Sequence, residues 1–279
     1  MKTTYAQILP LGLLLVIGAM ACDTPELEPC CEATPDNIWQ PAPGTSFDWI
    51  LTEDEAAILN SPAEVIDIDG FWATAQLVDS LHALGKKVIA YISVGTLEDW
   101  RPDVDDFPAS IIGRRYGAWP DERWLDIRNL EVLGPMLEAR MDMVAAKGFD
   151  AIEPDNLDAF EQSDTGFPIQ DVHAHNFCVW LIEAAHQRGL SIGQKNVLTL
   201  APSLVEGFDW ALTEDAFYWE EIGLAQPFYA AQKAIFATEY TDLTDQGTFE
   251  QYCSEANGAG ITVILKDRDL TSELMTCVE

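Results

Sequence analysis

The chain has 279 residues, 48% of them hydrophobic, and a formal net charge of −32. That apolar fraction allows a sizeable core and excludes a disordered acidic chain, while the charge excludes nucleic acid, whose phosphates it would repel. An acidic excess of this size suits a cationic substrate or keeps a protein dissolved in a salty medium, and the length fits one barrel of about 250 residues.

Lys2, the apolar run from Ile8 to Met20, and the small residues before Cys22 predict a signal peptide over residues 1–21. Cys22 follows those small residues as in a bacterial lipoprotein, although Ala19 stands where that pattern prefers Leu. The expectation is an exported protein, either held at the cell envelope through a lipidated Cys22 or secreted. Export permits disulfides. The remaining cysteines are Cys30, Cys31, Cys178, Cys253 and Cys277, an odd set if Cys22 is lipidated. Cys253 and Cys277 flank the last strand–loop unit and are the best candidate pair. No cysteine spacing suits zinc.

Residues 22–45, rich in Pro and acids, read as a tether, with Trp39 near enough to pack on the domain. From there to residue 279 β and α signals alternate. Strands are predicted at Phe47–Leu51, Val65–Ile68 and Lys87–Val94. A helix with Leu77, Leu81 and Leu84 on one face and Gly85 as its stop lies between the last two. The stretch 95–123, rich in Pro, Gly and Trp, predicts a long loop after the third strand, ended by a strand-like piece at Trp124–Ile127. A helix follows on Leu133, Met136, Leu137, Met141 and Val144, closed by Gly148.

Next comes FDAIEPDNLDAF, Phe149–Phe160, a short apolar run opening into Glu153, Asp155, Asn156 and Asp158. Pro154, without an N–H, is expected to mark where strand pairing stops. Further strands are predicted at Leu190–Lys195, Phe208–Thr213, Ala234–Thr238 and Ile261–Leu265. Helices are expected through Phe177–Ala185, stopped by Gly189, and through Phe249–Ala256. With the Trp124 piece assigned to the loop, the pattern is a single-domain α/β chain, a (β/α)8 TIM barrel.

Barrel enzymes carry their chemistry at the C-terminal strand ends. Here those ends read Asp67/Asp69, Tyr91/Ser93, Asp126, Glu153/Asp155/Asn156/Asp158, Lys195/Asn196, Glu214/Asp215 and Glu239/Tyr240. Neither GxGxxG nor GxxxxGK[ST] occurs, so nucleotide chemistry has no support. His82 and His186 fall on predicted helices; His173 and His175 sit at a helix start, where capping or solvent exposure is expected rather than metal binding. No metal and no cofactor is expected. Two carboxylates at one mouth, without a metal motif or a Ser-His-Asp set, point to glycoside hydrolysis.

The order YISVG (Tyr91–Gly95), WLDIR (Trp124–Arg128), FDAIEPDNLD (Phe149–Asp158), GQKN (Gly193–Asn196) and a Glu closing the next strand resembles glycoside hydrolase family 114. That is the endo-α-1,4-polygalactosaminidase family, and the similarity runs over residues 39–277. The resemblance implies cleavage of α-1,4-linked galactosamine polymers, with Asp155 as nucleophile and Glu214 as general acid/base of a retaining mechanism. Asp67, Asp69, Tyr91, Ser93, Asp126, Glu153, Asn156, Asp158, Lys195, Asn196, Tyr218, Glu221 and Glu239 are the expected substrate contacts. The family's acid loop carries two cysteines where this chain has Ala216 and Ile222, which implies a missing disulfide and a looser loop. The implied partner is a cationic amino-sugar polysaccharide, handled by a monomer. A glycosidase for another α-linked polymer, and a surface polysaccharide-binding lipoprotein without turnover, are the alternatives.

Overall fold

A computed structural model describes residues 27, 35, 37–117 and 119–277. The expected signal peptide, Cys22, Cys30 and Cys31 lie outside the described residues. Strands β1 (Phe47–Ile50), β2 (Val65–Asp69) and β3 (Lys87–Ser93) come first. The inserted β4 (Thr96–Glu98), β5 (Ile112–Arg115) and β6 (Glu122–Leu125) follow. The chain then forms β7 (Ala151–Asp155), β8 (Ser191–Lys195), β9 (Trp210–Glu214), β10 (Ala234–Tyr240), β11 (Ile261–Lys266) and the short β12 (Met275–Thr276). Parallel ladders join β1-β2-β3-β7-β8-β9-β10-β11 in that order, the curled sheet of a (β/α)8 barrel.

Alternation along these strands divides the apolar residues into two cores. Phe47, Trp49, Ile89, Trp210, Phe236 and Ile264 fill the barrel interior. Ile50, Ile66, Val88, Ile92, Ile152 and Ile192 point outward under the helices. Among the described residues no ladder joins β11 to β1. That seam is held by Gly44 N–H to Gly260 O (2.9 Å) and Thr262 Oγ1 to Thr45 O (2.7 Å). Within it a buried ion pair joins Lys266 Nζ to Asp48 Oδ1 at 2.9 Å. Ile38 is buried, and Trp39 packs against the interior core with Lys87 over its ring, so this end of the expected tether belongs to the folded body.

The helices α1 (Glu55–Asn60), α2 (Ala75–Ala83), α3 (Leu130–Ala146), α4 (Asp171–His186), α5 (Ala201–Leu204), α6 (Gln226–Ala230) and α7 (Gln246–Ala256) cover the barrel. Gly85, Gly148 and Gly189, all at positive φ, follow α2, α3 and α4 as the sequence predicts. Leu84 departs from its expected face: it caps α2 and is exposed, and Val78 is buried beside Leu77 and Leu81 instead. His173 accepts from Gln170 N–H at the start of α4, whereas His175, one turn in, is buried rather than solvent-facing. Cys253 and Cys277 form a disulfide, and Cys178 is a buried free thiol.

Two expectations change at the centre of the chain. Pro154 does not end the strand: it lies inside β7, level with Ile92 of β3. Pairing stops before it only on the β8 side, where the register ends at Ile152 and Ile192. The long loop after β3 is folded into an antiparallel sheet, β4-β6-β5, and the Trp124 piece is its central strand. Buried arginines fasten it to the barrel. Arg101 bridges Glu98 and Asp69, and Arg140 of α3 joins Asp103 and the Ser93 carbonyl.

Candidate active site

At the C-terminal ends of β7, β8 and β9 the chain turns sharply. Asn156, Asn196 and Asp215 take positive φ values of 65°, 51° and 52°. Asn and Asp tolerate this left-handed region better than other non-glycine residues. Each turn directly follows an inward-pointing charged residue: Asp155, Lys195 and Glu214. The strand ends thus halt those three side chains at the floor of one cleft of about 760 Å³.

Lys195 is the hub. Its Nζ lies 2.7 Å from Asp155 Oδ1, 2.9 Å from Glu214 Oε2 and 3.2 Å from Glu153 Oε1. Burial opposes its charge, but the three carboxylates outweigh burial and hold it well above the ordinary lysine range. Contacts of 2.7 Å and 2.9 Å to one atom keep the Asp155 and Glu214 oxygens within about 5.6 Å of each other.

The remaining bonds orient the two carboxylates. Asp155 Oδ2 accepts from the Tyr91 hydroxyl and from Asn156 Nδ2, both at 3.2 Å. Glu214 accepts from the Tyr240 hydroxyl at 2.5 Å and from Asn196 Nδ2 at 3.0 Å, and Asn196 Oδ1 receives the Glu214 N–H in return. Burial works to raise Glu214, yet Lys195, Tyr240 and Asn196 prevail and hold it at about 2. Glu214 is therefore ionised at neutral pH in this arrangement. Tyr240 is itself raised well above 10, first by burial and then by Glu214, so it stays a hydroxyl donor.

Beneath this floor Asp67 and Glu153 face each other, fully buried. Burial pushes both well above the ordinary carboxylate value, against the pull of Lys195. Neither lines the cleft. As direct substrate contacts they are corrected, because an inward position one step down the strand is sealed by the layer above it.

Asp69, Tyr91, Asn156, Asp158, Lys195 and Asn196 do line the cleft with Asp155 and Glu214. Asp69 has both oxygens engaged, one by the N–H groups of Phe71 and Trp72 and the other by Arg101. The other expected contacts lie elsewhere. Ser93 is buried against Thr96, and Asp126 is closed on Arg128 through bonds of 2.7 Å and 2.9 Å. Tyr218 and Glu221 are exposed outside the cleft. Glu239 points to the opposite side of β10 from Tyr240 and accepts the Phe217 and Tyr218 N–H groups. Those bonds, with Glu221 N and Ile222 N donating to Ala216 O, tie the acid loop where the sequence predicts looseness.

Several lining residues stand outside the expected substrate contacts. Tyr240 follows from strict alternation, which turns it inward with Phe236. Glu98, Arg101, Tyr116 and Glu122 come from the inserted sheet and its loops, and Arg268 from beyond β11. Arg268 pairs with Asp215 and Asp242 and stacks over the Tyr240 ring at 4.0 Å. Exposed Trp100 and Trp119 stand on the same inserted wall, flat apolar faces of the kind that stack on sugars. Among the described residues no group of His, Cys, Asp and Glu is arranged to hold a metal ion.

Comparison with known proteins agrees with this architecture. The chain is similar to Ega3 of Aspergillus fumigatus, whose crystal structure is a complex with galactosamine. Identity is 30% and TM-score 0.79, covering 86% of this chain and 97% of that one. The glycoside hydrolase domain of PelA from Pseudomonas aeruginosa is 15% identical, with TM-score 0.64 over 86% of this chain and 100% of that one, a likeness of fold alone. A comparison with curated protein sequences finds no match. The family model described as glycoside-hydrolase family GH114 matches residues 29–279. A match of that extent places the chain in family GH114, and the protein is a glycoside hydrolase.

Proposed function

We propose that this hydrolase cleaves α-1,4-linked galactosamine polymers internally, with retention of configuration, using Asp155 as nucleophile and Glu214 as general acid/base. The observation that carries the reading is the shared contact with Lys195, which keeps the two carboxylates within about 5.6 Å. Retention needs a separation of about 5–5.5 Å, whereas inversion needs about 6.5–9.5 Å to admit a water. Asp155, ion-paired to Lys195, is suited to attack the anomeric carbon. Glu214 must gain a proton before it can assist the leaving oxygen. Withdrawal of Lys195 toward Asp155 and Glu153 would raise its pKa by about 1–3 units. In the second half-reaction ionised Glu214 takes the proton of the attacking water.

The substrate class is supported by the galactosamine in the related Ega3 complex and by the acidic lining. Glu53, Asp158 and Asp269 join the central carboxylates around the cleft. With the net charge of −32, such a mouth would attract a polycation. We place the protein outside the cytoplasm, anchored by a lipid on Cys22 or secreted, acting as a monomer. The test is Asp155→Asn and Glu214→Gln on de-acetylated, acetylated and neutral polymers, with the anomer of the first product read by NMR. Both variants should lose at least about a hundredfold in turnover, the de-acetylated polymer should be preferred, and its Michaelis constant should rise with salt. A first product of inverted configuration, or unchanged turnover by Asp155→Asn, would overturn the reading.

A further inference from the structure

The inserted sheet does more than wall the cleft. Glu98 and Glu122 are level with each other on β4 and β6, so two carboxyl groups sit side by side there. Arg101 takes Glu98 in a two-pronged bond of 2.6 Å and 2.7 Å. Glu122, buried and lining the cleft, accepts instead a 2.5 Å bond from the Thr96 hydroxyl. Thr96 Oγ1 and Ser93 Oγ accept from Asn156 Nδ2 at 3.1 Å and 3.0 Å, and the same nitrogen reaches Asp155 Oδ2 at 3.2 Å. Asn156 has little freedom to turn. Its φ is 65°, and its carbonyl oxygen presses on Gly95, where a Cβ would come within 1.7 Å.

We propose that Glu122 is a positioning residue for Asp155, acting through the Thr96 hydroxyl and the Asn156 amide. The inference rests on the reading of Asp155 as nucleophile. With Glu122 ionised, Thr96 donates to it and turns its lone pairs toward Asn156. With Glu122 protonated, Glu122 donates and the Thr96 hydroxyl swings to Ser93 Oγ, 2.7 Å away. A proton on Glu122 therefore reverses the Glu122–Thr96 bond, so that Thr96 Oγ1 accepts from Glu122 as well as from Asn156 Nδ2, which remains the donor to Asp155 Oδ2. Burial raises this carboxyl to about 7; the Thr96 bond opposes the rise, and the charges of Glu98 and Asp155 add to it. Arg101, Tyr91 and Tyr116 are the other ionisable groups that face it. The reversal falls near neutral pH.

The test compares wild type, Glu122→Gln, Thr96→Val, Thr96→Ser, the Glu122→Gln/Thr96→Val double variant and Asp155→Asn on the de-acetylated polymer, with thermal midpoints measured for each. Glu122→Gln and Thr96→Val should each lower kcat about tenfold with little change in KM. The double variant should be no worse than the worse single one, since both break one chain. Thr96→Ser keeps the hydroxyl and should keep wild-type kcat. Glu122→Gln should also remove a limb near pH 7 from the kcat profile. Additive losses, or a Glu122→Gln profile that overlays wild type after scaling, would overturn the proposal while Asp155→Asn remains inactive. Full turnover by Asp155→Asn would overturn both the proposal and the nucleophile assignment.

Discussion

Replacing Lys195 with methionine removes one charge from among three carboxylates while nearly preserving volume. Glu214 stands at about 2 instead of 4.5, burial having been overcome chiefly by Lys195. A single opposite charge at this range is worth about 1–3 units, so Lys195→Met should bring Glu214 to about 3–5. The folded-state pKa is depressed, so its contribution to stability is present above the unfolded value and lost as pH falls from 4.5 toward about 2. At about 1.4 kcal/mol per unit, and with 28% of the side chain open to water, that contribution is about 2–3 kcal/mol at neutral pH. The variant should lose most of it. Urea midpoints of the two proteins should differ most at pH 7, and the gap should shrink by half or more at pH 3. In parallel the alkaline limb of kcat/KM, set by the proton that Glu214 must donate, should move up by about 1–3 units. An unmoved limb together with a pH-independent stability gap would refute the role given to Lys195.

Lys266→Met strands Asp48 inside the β11–β1 seam, where losing one partner of a buried pair costs about 3–5 kcal/mol; the urea midpoint should fall accordingly, and Asp48→Asn added to it should recover part. Gly95→Ala drives a methyl into the Asn156 carbonyl at 1.7 Å, so kcat should drop even where circular dichroism shows the fold retained. Burial raises Glu239 to about 7 against the pull of the Phe217 and Tyr218 N–H groups. A raised carboxyl contributes stability below its unfolded pKa and loses it as pH rises through the folded one. Glu239→Gln should therefore flatten the decline in thermal midpoint between about pH 4.5 and pH 7; an unchanged slope would show that Glu239 does not carry it.

The barrel was readable because its strands are short apolar runs closed by acids and its helices stop at glycines that must adopt positive φ. The glycines within the motifs also have physical reasons. Gly95 lies under the Asn156 carbonyl, and Gly193 faces the Trp210 ring, where a Cβ would stand 2.4 Å away. Which strand-end residues meet a ligand was only half legible. Alternation separates Tyr240 from Glu239 and Glu214 from Asp215, since one of each pair points into the barrel. It does not report depth. Asp67 and Glu153 share the inward parity of Asp69 and Asp155, yet they lie one layer lower, and the tilt and stagger of the strands decide which layer reaches solvent.

The inserted sheet was illegible for another reason. Its strands have three or four residues, and charged side chains occupy positions where a barrel strand would place Val or Ile. Thr96, Glu98, Glu122 and Trp124 are buried all the same, because the sheet walls the cleft and packs against the barrel. Polar burial of that kind needs partners: Arg101 binds Glu98, and the Thr96 hydroxyl binds Glu122. A rule that looks for chemistry at barrel strand ends cannot find groups supplied by such an insertion. Their signal is carboxylates with little exposure and few cations of their own, a property of the assembled fold rather than of any window of sequence.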